Sequence, residues 1–167
     1  MLTIQHVTQP TSALQEVKDL FQQYVIELNE DLCFQHWDEE MDNPLFKYGP
    51  PQGSLVLGYW NNIPVGCIAL QPIKEEGVCE MKRMFVQPDF RKHGIGDQLV
   101  KIILEDAVQL GYSKMVLDTL TRLDSAVRLY EKHGFINTSA YYANPLPNVI
   151  YMEKVLNPTR EKINVCG

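Results

Sequence analysis

Long apolar runs are missing from this chain. No stretch approaches the roughly 18 residues that a membrane-spanning helix needs, and the opening MLTIQHVTQP lacks a basic segment followed by an apolar one. A soluble cytoplasmic protein with no membrane partner is therefore expected. Cysteine is scarce: Cys33, Cys67, Cys79 and Cys166 form no Cys-x-x-Cys pair, and the four histidines (6, 36, 93 and 133) show no ligand spacing. Neither a metal site nor a disulfide framework is indicated. Broad basic character is absent too, which argues against nucleic acid as a partner. There are no repeats and no low-complexity tracts.

Basic residues are missing altogether from one long segment. Between Asp19 and Phe46 there are eight acids and no Lys or Arg. The whole chain carries a formal charge of −6, so the rest stands at +2. A short opposite bias follows at Lys82, Arg83, Arg91 and Lys92. The acidic segment has two readings, a solvated helix face or a surface that draws in a cation.

What is present is ample material for a core. With 167 residues and 45% hydrophobic content, the chain predicts one α/β domain over residues 1–156 and a tail over 157–167. Leu2, Ile4 and Val7 suggest a first strand. Leu14, Val17, Leu20, Phe21, Tyr24, Val25 and Leu28 recur at helical spacing behind a Thr11 or Ser12 cap. A short helix is expected within 34–44, and a loop over 48–53. Strands at 54–60 and 64–71 form a hairpin about Asn61-Asn62, and a further strand runs over 78–86. Then come a long helix (94–110), a strand (114–119), a helix closed by Gly134 (124–133), and strands at 136–142 and 149–156.

The chemistry concentrates at one junction. Val86-Gln87-Pro88 ends a strand, and Asp89-Phe90-Arg91-Lys92-His93-Gly94-Ile95-Gly96-Asp97 leads through a basic, glycine-containing turn into the long helix. Free amides at a helix N-terminus attract an anion, and two glycines let the backbone approach it closely. That composition suits a pyrophosphate. No Gly-Lys-Ser/Thr follows, and the third glycine of a dinucleotide fingerprint is absent. Gly-x-Gly at a helix start is also compatible with a purely structural turn.

Arg91-x-x-Gly94-x-Gly96 resembles the (Arg/Gln)-x-x-Gly-x-(Gly/Ala) motif of the GCN5-related N-acetyltransferase (GNAT) family, and Val86-x-Pro88 stands in that family's position before it. Ala126-Val127-Arg128-Leu129-Tyr130-Glu131-Lys132-His133-Gly134-Phe135 is similar to the family's second landmark, Ala-x-x-Leu-Tyr-x-x-x-Gly-Phe. The resemblance spans residues 2–156. It implies a single mixed, strongly twisted sheet of about six to seven strands, splayed between the fourth and fifth, with helices on both faces. Acetyl-CoA is the implied co-substrate, with no metal.

By the same resemblance, the backbone of Met84, Phe85 and Val86 holds the pantetheine arm. Arg91, Lys92, His93, Gly94, Ile95, Gly96 and Asp97 surround the pyrophosphate. Where the family often carries Asn, this chain has Leu123, so the pantetheine contact on that side falls to Ser125 or Asp124, near Leu129. Glu80 matches the general base and Tyr130 the group beside the departing sulfur. An ammonium cannot attack a thioester, so a base is required. Each has a plainer role available, Glu80 as partner of Lys82 and Tyr130 as a core aromatic. Cys79 alternates to the face opposite Glu80 and is expected in the core.

The resemblance places the first helix and its sequel over the acceptor end of the splay. Glu30, Asp31, Phe34 and Trp37 are accordingly expected to bind the acceptor, a small cationic amine or a lysine side chain. Direct transfer in a ternary complex is the expected reaction, and a homodimer is compatible with it. Two alternatives are a catalytically silent CoA-binding sensor and a nucleotide-binding module that uses the same glycine turn.

Overall fold

The computed structural model describes residues 1–157; the expected tail lies almost wholly outside the described residues. Seven strands form one mixed sheet in the order β1-β2-β3-β4-β5-β7-β6. They are β1 (Leu2–His6), β2 (Ser54–Trp60), β3 (Ile63–Pro72), β4 (Val78–Val86), β5 (Lys114–Leu120), β6 (Ile136–Thr138) and β7 (Val149–Val155). The helices are α1 (Ser12–Leu28), α2 (Trp37–Asp42), α3 (Pro44–Tyr48), α4 (Ile95–Gln109) and α5 (Asp124–Lys132).

Alternation in β2 and β3 sends successive side chains to opposite faces, and both faces are covered. Val17, Leu20 and Phe21 of α1 meet Leu55, Leu57, Cys67 and Ala69. Leu99, Ile103 and Ala107 of α4 meet Val56, Ile68 and Leu70. Strands buried on both sides read as continuous apolar runs, as Ser54-Leu55-Val56-Leu57 does. The β2–β3 hairpin turns at Asn61 and Asn62, with φ of 50° and 69°. Two successive positive φ values mark the turn type whose twist matches a hairpin, and Asn tolerates it well.

Two expectations change in detail. The helix expected within 34–44 is broken into a single 3₁₀ turn (Cys33–Gln35), α2 and α3. His36 takes a left-handed φ of 59°, and Pro44 starts a new helix because it has no N–H to give the preceding one. The strand expected to reach 142 stops at Thr138. Residues 139–148 instead form an irregular segment that carries Tyr141, Tyr142 and Asn144 inward.

The sheet is open at its centre. Parallel pairing of β4 with β5 runs only from Val78↔Lys114 to Glu80↔Val116; beyond Glu80 the strands separate. On its other edge β4 carries a bulge. Lys82 pairs with Ala69 and Phe85 with Cys67, so Arg83 and Met84 together face Ile68. Arg83 absorbs the extra residue with φ of 60°. A bulge resets the alternation, so Lys82 and Arg83 both reach the α1–α2 face, where they bond Gln35 and Glu40.

Candidate active site

Glu80 stands at the last paired position before the splay. It is only 5% exposed, yet it lines a cavity of about 1250 Å³ between β4, β5 and the 139–148 segment. Gln71 Nε2 donates to one carboxylate oxygen at 2.9 Å and the Tyr141 hydroxyl to the other at 2.5 Å. Together the two bonds fix the direction of the carboxylate. Burial, with Glu80 and Asp118 alongside, holds the Tyr141 phenol far above its ordinary pKa, so this donor stays protonated. The plainer expectation, a pair with Lys82, is not met: Lys82 Nζ donates to Gln35 Oε1 at 2.9 Å.

Beside them lies an ionic cluster built on the buried Arg83 and Glu40, with Lys47 half-buried at its edge. Arg83 donates to both oxygens of Glu40, at 2.7 and 2.8 Å, and Lys47 Nζ adds 3.1 Å to the same carboxylate. The Arg83 guanidinium also lies 5.1 Å from the Trp37 ring and 5.7 Å from the Tyr24 ring. Burial raises the pKa of Glu40, but Arg83 and Lys47 more than offset that and hold it below the usual carboxylate range. This cluster locks α2 and α3 onto β4.

Tyr130 on α5 is 7% exposed, and its ring packs edge-on against Phe135 at 6.0 Å. Burial first, then Tyr24 and Asp118, pushes its phenol well above the ordinary value. Such a group donates a hydrogen bond but yields its proton reluctantly. Cys79 is buried in the core as expected, and burial pushes its thiol up to about 12. It supplies no thiolate at neutral pH.

The turn before α4 has the features of an anion cradle. Gly94 caps the helix at φ 75°, and no side chain caps the first-turn amides of Ile95, Gly96 and Asp97. A Cβ added at Gly94 meets nothing within 4 Å, so the space above it is open. At Gly96 the same atom comes within 3.3 Å of Leu129 and close to Val86 and Met84. Gly96 therefore serves the approach of α4 to β4 and α5, with Leu129 as its packing partner. Lys92 is exposed with φ of 72°, and His93 lies against Trp60, ring centres 5.1 Å apart.

Several expected ligands are engaged within the protein. Arg91 donates through Nε to the Val86 carbonyl at 2.8 Å and through Nη2 to Glu27 at 2.8 Å. Asp97 accepts from Lys132 and His133, each at 2.9 Å, tying the first turn of α4 to the end of α5. Ser125 is exposed on the first turn of α5.

Three of the four residues expected to bind the acceptor, Glu30, Asp31 and Trp37, lie outside the lining of the Glu80 cavity. Glu30 accepts from Arg122 at 3.2 Å, and Asp31 receives the Cys33 amide at 2.9 Å. Trp37 is stacked on Arg83, and only Phe34 of the four expected residues lines the cavity. Of the eight acids, Glu27, Glu30, Asp31 and Glu40 bond the protein's own cations and amides, which sequence spacing does not reveal. Lys82, Gln35, Gln71, Tyr141 and Tyr142 line the cavity. Lys82 was legible as a same-face neighbour of Glu80; the tyrosines, in an irregular segment, carried no periodic signal.

The site thus combines a buried, oriented carboxylate at the mouth of a split parallel pair with an uncapped helix end in an open α/β domain. A model of the Acetyltransferase (GNAT) family matches residues 15–135. The chain belongs to that family. An uncharacterized N-acetyltransferase of Schizosaccharomyces pombe is 49% identical over 140 residues, 83% of this chain and 86% of the relative. Among solved structures, an acetyltransferase from Streptococcus agalactiae superposes with a TM-score of 0.77 at 22% identity, covering 93% of this chain and 98% of that one. A PaiA N-acetyltransferase from Thermoplasma acidophilum, solved with coenzyme A, superposes with a TM-score of 0.68 at 13% identity over 93% of this chain and 99% of that one. None of the described helices is long and apolar enough to cross a membrane. The described residues hold no cluster of His, Cys, Asp and Glu suited to a metal.

Proposed function

We propose that the protein moves the acetyl group of acetyl-CoA directly to a primary amine within a ternary complex. The observation that carries this reading is Glu80, a buried carboxylate oriented by Gln71 and Tyr141 and facing a cavity where β4 and β5 part. A CoA-binding sensor has no use for such a group.

In this reading the α4 amides and the open space over Gly94 receive the pyrophosphate. The pantetheine lies along Met84, Phe85 and Val86, placing the thioester in the splay. Glu80 accepts the proton that the amine must lose, directly or through water. The amine nitrogen then bonds to the acetyl carbon, and the carbon–sulfur bond breaks. Tyr130 steadies the departing thiolate by a hydrogen bond, and the second proton, shed by the nitrogen as the amide forms, passes through water to the sulfur to give the CoA thiol, while Glu80 returns its own proton to solvent. The remaining rate enhancement comes from positioning. The acidic segment offers a cationic acceptor less than its composition suggests, since Glu27, Glu30, Asp31 and Glu40 are engaged within the protein.

Release of CoA thiol from acetyl-CoA across a panel of primary amines tests the reaction. CoA binding with no release on any amine would leave the sensor reading instead. ATP or NAD raising Tm where CoA does not would favour a nucleotide module.

Two substitutions test the parts. Gly94→Ala should weaken CoA binding about tenfold by calorimetry, because its methyl group enters the cradle. The left-handed φ adds strain of roughly 1–2 kcal/mol, so Tm should fall only several degrees. Equal CoA affinity would remove the cradle assignment. Tyr130→Phe should lower kcat on the order of 10²-fold, the scale of losing one aligned donor, with the KM for acetyl-CoA unchanged. An unaltered kcat would leave Tyr130 a packing residue.

A further inference from the structure

The cavity holds two buried charges, Glu80 and Lys82, that feel each other electrostatically but form no direct ion pair. Glu80 and Lys82 sit on the same face of β4, two residues apart, hence about 6–7 Å between Cα atoms. Lys82 is 7% exposed, and its ammonium bonds a neutral amide, Gln35 Oε1. Among the described residues no carboxylate forms an ion pair with it. Glu80 is likewise held by neutral donors, Gln71 and Tyr141.

Other charges nearby are already committed. Arg83 and Lys47 share Glu40. Asp118, within electrostatic reach of Lys82, accepts from the Tyr142 hydroxyl and from Asn144 Nδ2. At the far end of the cavity Lys114 lies 3.7 Å from Glu153 and 3.8 Å from Glu75. A buried ammonium is costly without an opposite charge. Here one cation and one anion, both buried and both lining the same space, lack a direct contact with a group of opposite sign.

We infer that the acceptor is an amino acid or a short amino-acid derivative, whose carboxylate pairs with Lys82 while its amine faces Glu80. This inference rests on the acetyl-transfer reading and names the class of its acceptor. A zwitterion satisfies both charges at once, whereas a simple cationic amine leaves Lys82 unpaired. The proton passes from the ammonium of the acceptor to Glu80, and the Lys82–carboxylate pair persists through transfer.

The test compares L-α-amino acids with their carboxamides and decarboxylated amines as acceptors, in the wild type and in Lys82→Met. Methionine keeps the unbranched stem and removes a buried charge, and unchanged CoA binding by calorimetry verifies that the variant is intact. The wild type should prefer the carboxylate-bearing member of a matched set at least tenfold in kcat/KM. Lys82→Met should raise the KM for that member at least tenfold and leave the carboxamide within about twofold. Acetyl transfer without a carboxylate preference would overturn the inference and leave the acetyl-transfer reading standing. So would an equal fall in kcat for both acceptors at unchanged KM, which would make Lys82 a proton acceptor. No transfer to any amine would refute the underlying reading itself.

Discussion

Glu80→Gln should lower kcat on the order of 10³-fold at neutral pH, within the range of a lost general base. The amide preserves size and one acceptor oxygen, so the cavity should keep its shape and CoA its affinity. The distinguishing signature is in the pH profile. The deficit should shrink as pH rises through the amine's own deprotonation. A strongly alkaline medium, where the free amine is abundant without help, should therefore restore part of the rate. Activity within threefold of wild type across the profile would assign the proton to another acceptor.

Glu40→Ala should destabilise the fold more than any of the substitutions at Glu80, Lys82, Gly94 or Tyr130. It strands the Arg83 guanidinium, which is 1% exposed in its side chain, and removes the partner of Lys47 as well. Breaking a buried pair from one side costs about 3–5 kcal/mol. For a domain of this size that corresponds to a Tm loss of about 6–20 °C. Replacing both partners with methionine should recover most of it, because no charge is then left buried. A double variant no more stable than Glu40→Ala would mean that packing, and not the orphaned charge, dominates. The pair also sets a pH dependence. The Glu40 carboxyl is held below its ordinary range in the folded state, so its contribution is complete above about pH 4.3, the unfolded value. It is lost as pH falls through the lowered folded value. Wild type should lose this increment on acidification, and Glu40→Gln should not.

Much of the scaffold is legible in the order of residues. Helical spacing from Leu14 to Leu28, the apolar strands 54–60 and 64–71, and the Gly94-x-Gly96 turn each depend on neighbours close in sequence. Local rules therefore suffice for them. Where local rules compete, they misjudge lengths: His36 and Pro44 split one expected helix, and the 136–142 strand ends at Thr138 because β7 accepts only three of its residues in register.

The site divides along the same line. Contiguous motifs dictate the cradle and, through their resemblance to a family, single out Glu80 and Tyr130. Where the charges go is settled by tertiary contacts alone. Glu27, Glu30 and Glu40 meet Arg91, Arg122 and Arg83 across separations of 64, 92 and 43 residues, and no spacing rule anticipates such pairs. The bulge at Arg83 turns two adjacent cations onto one face, contrary to simple alternation. Closure of the 139–148 segment then sets Tyr141 against Glu80. Charge complementarity is a property of three-dimensional neighbours, so the composition of the acidic segment does not reveal that Glu27, Glu30 and Glu40 meet arginines of the same chain.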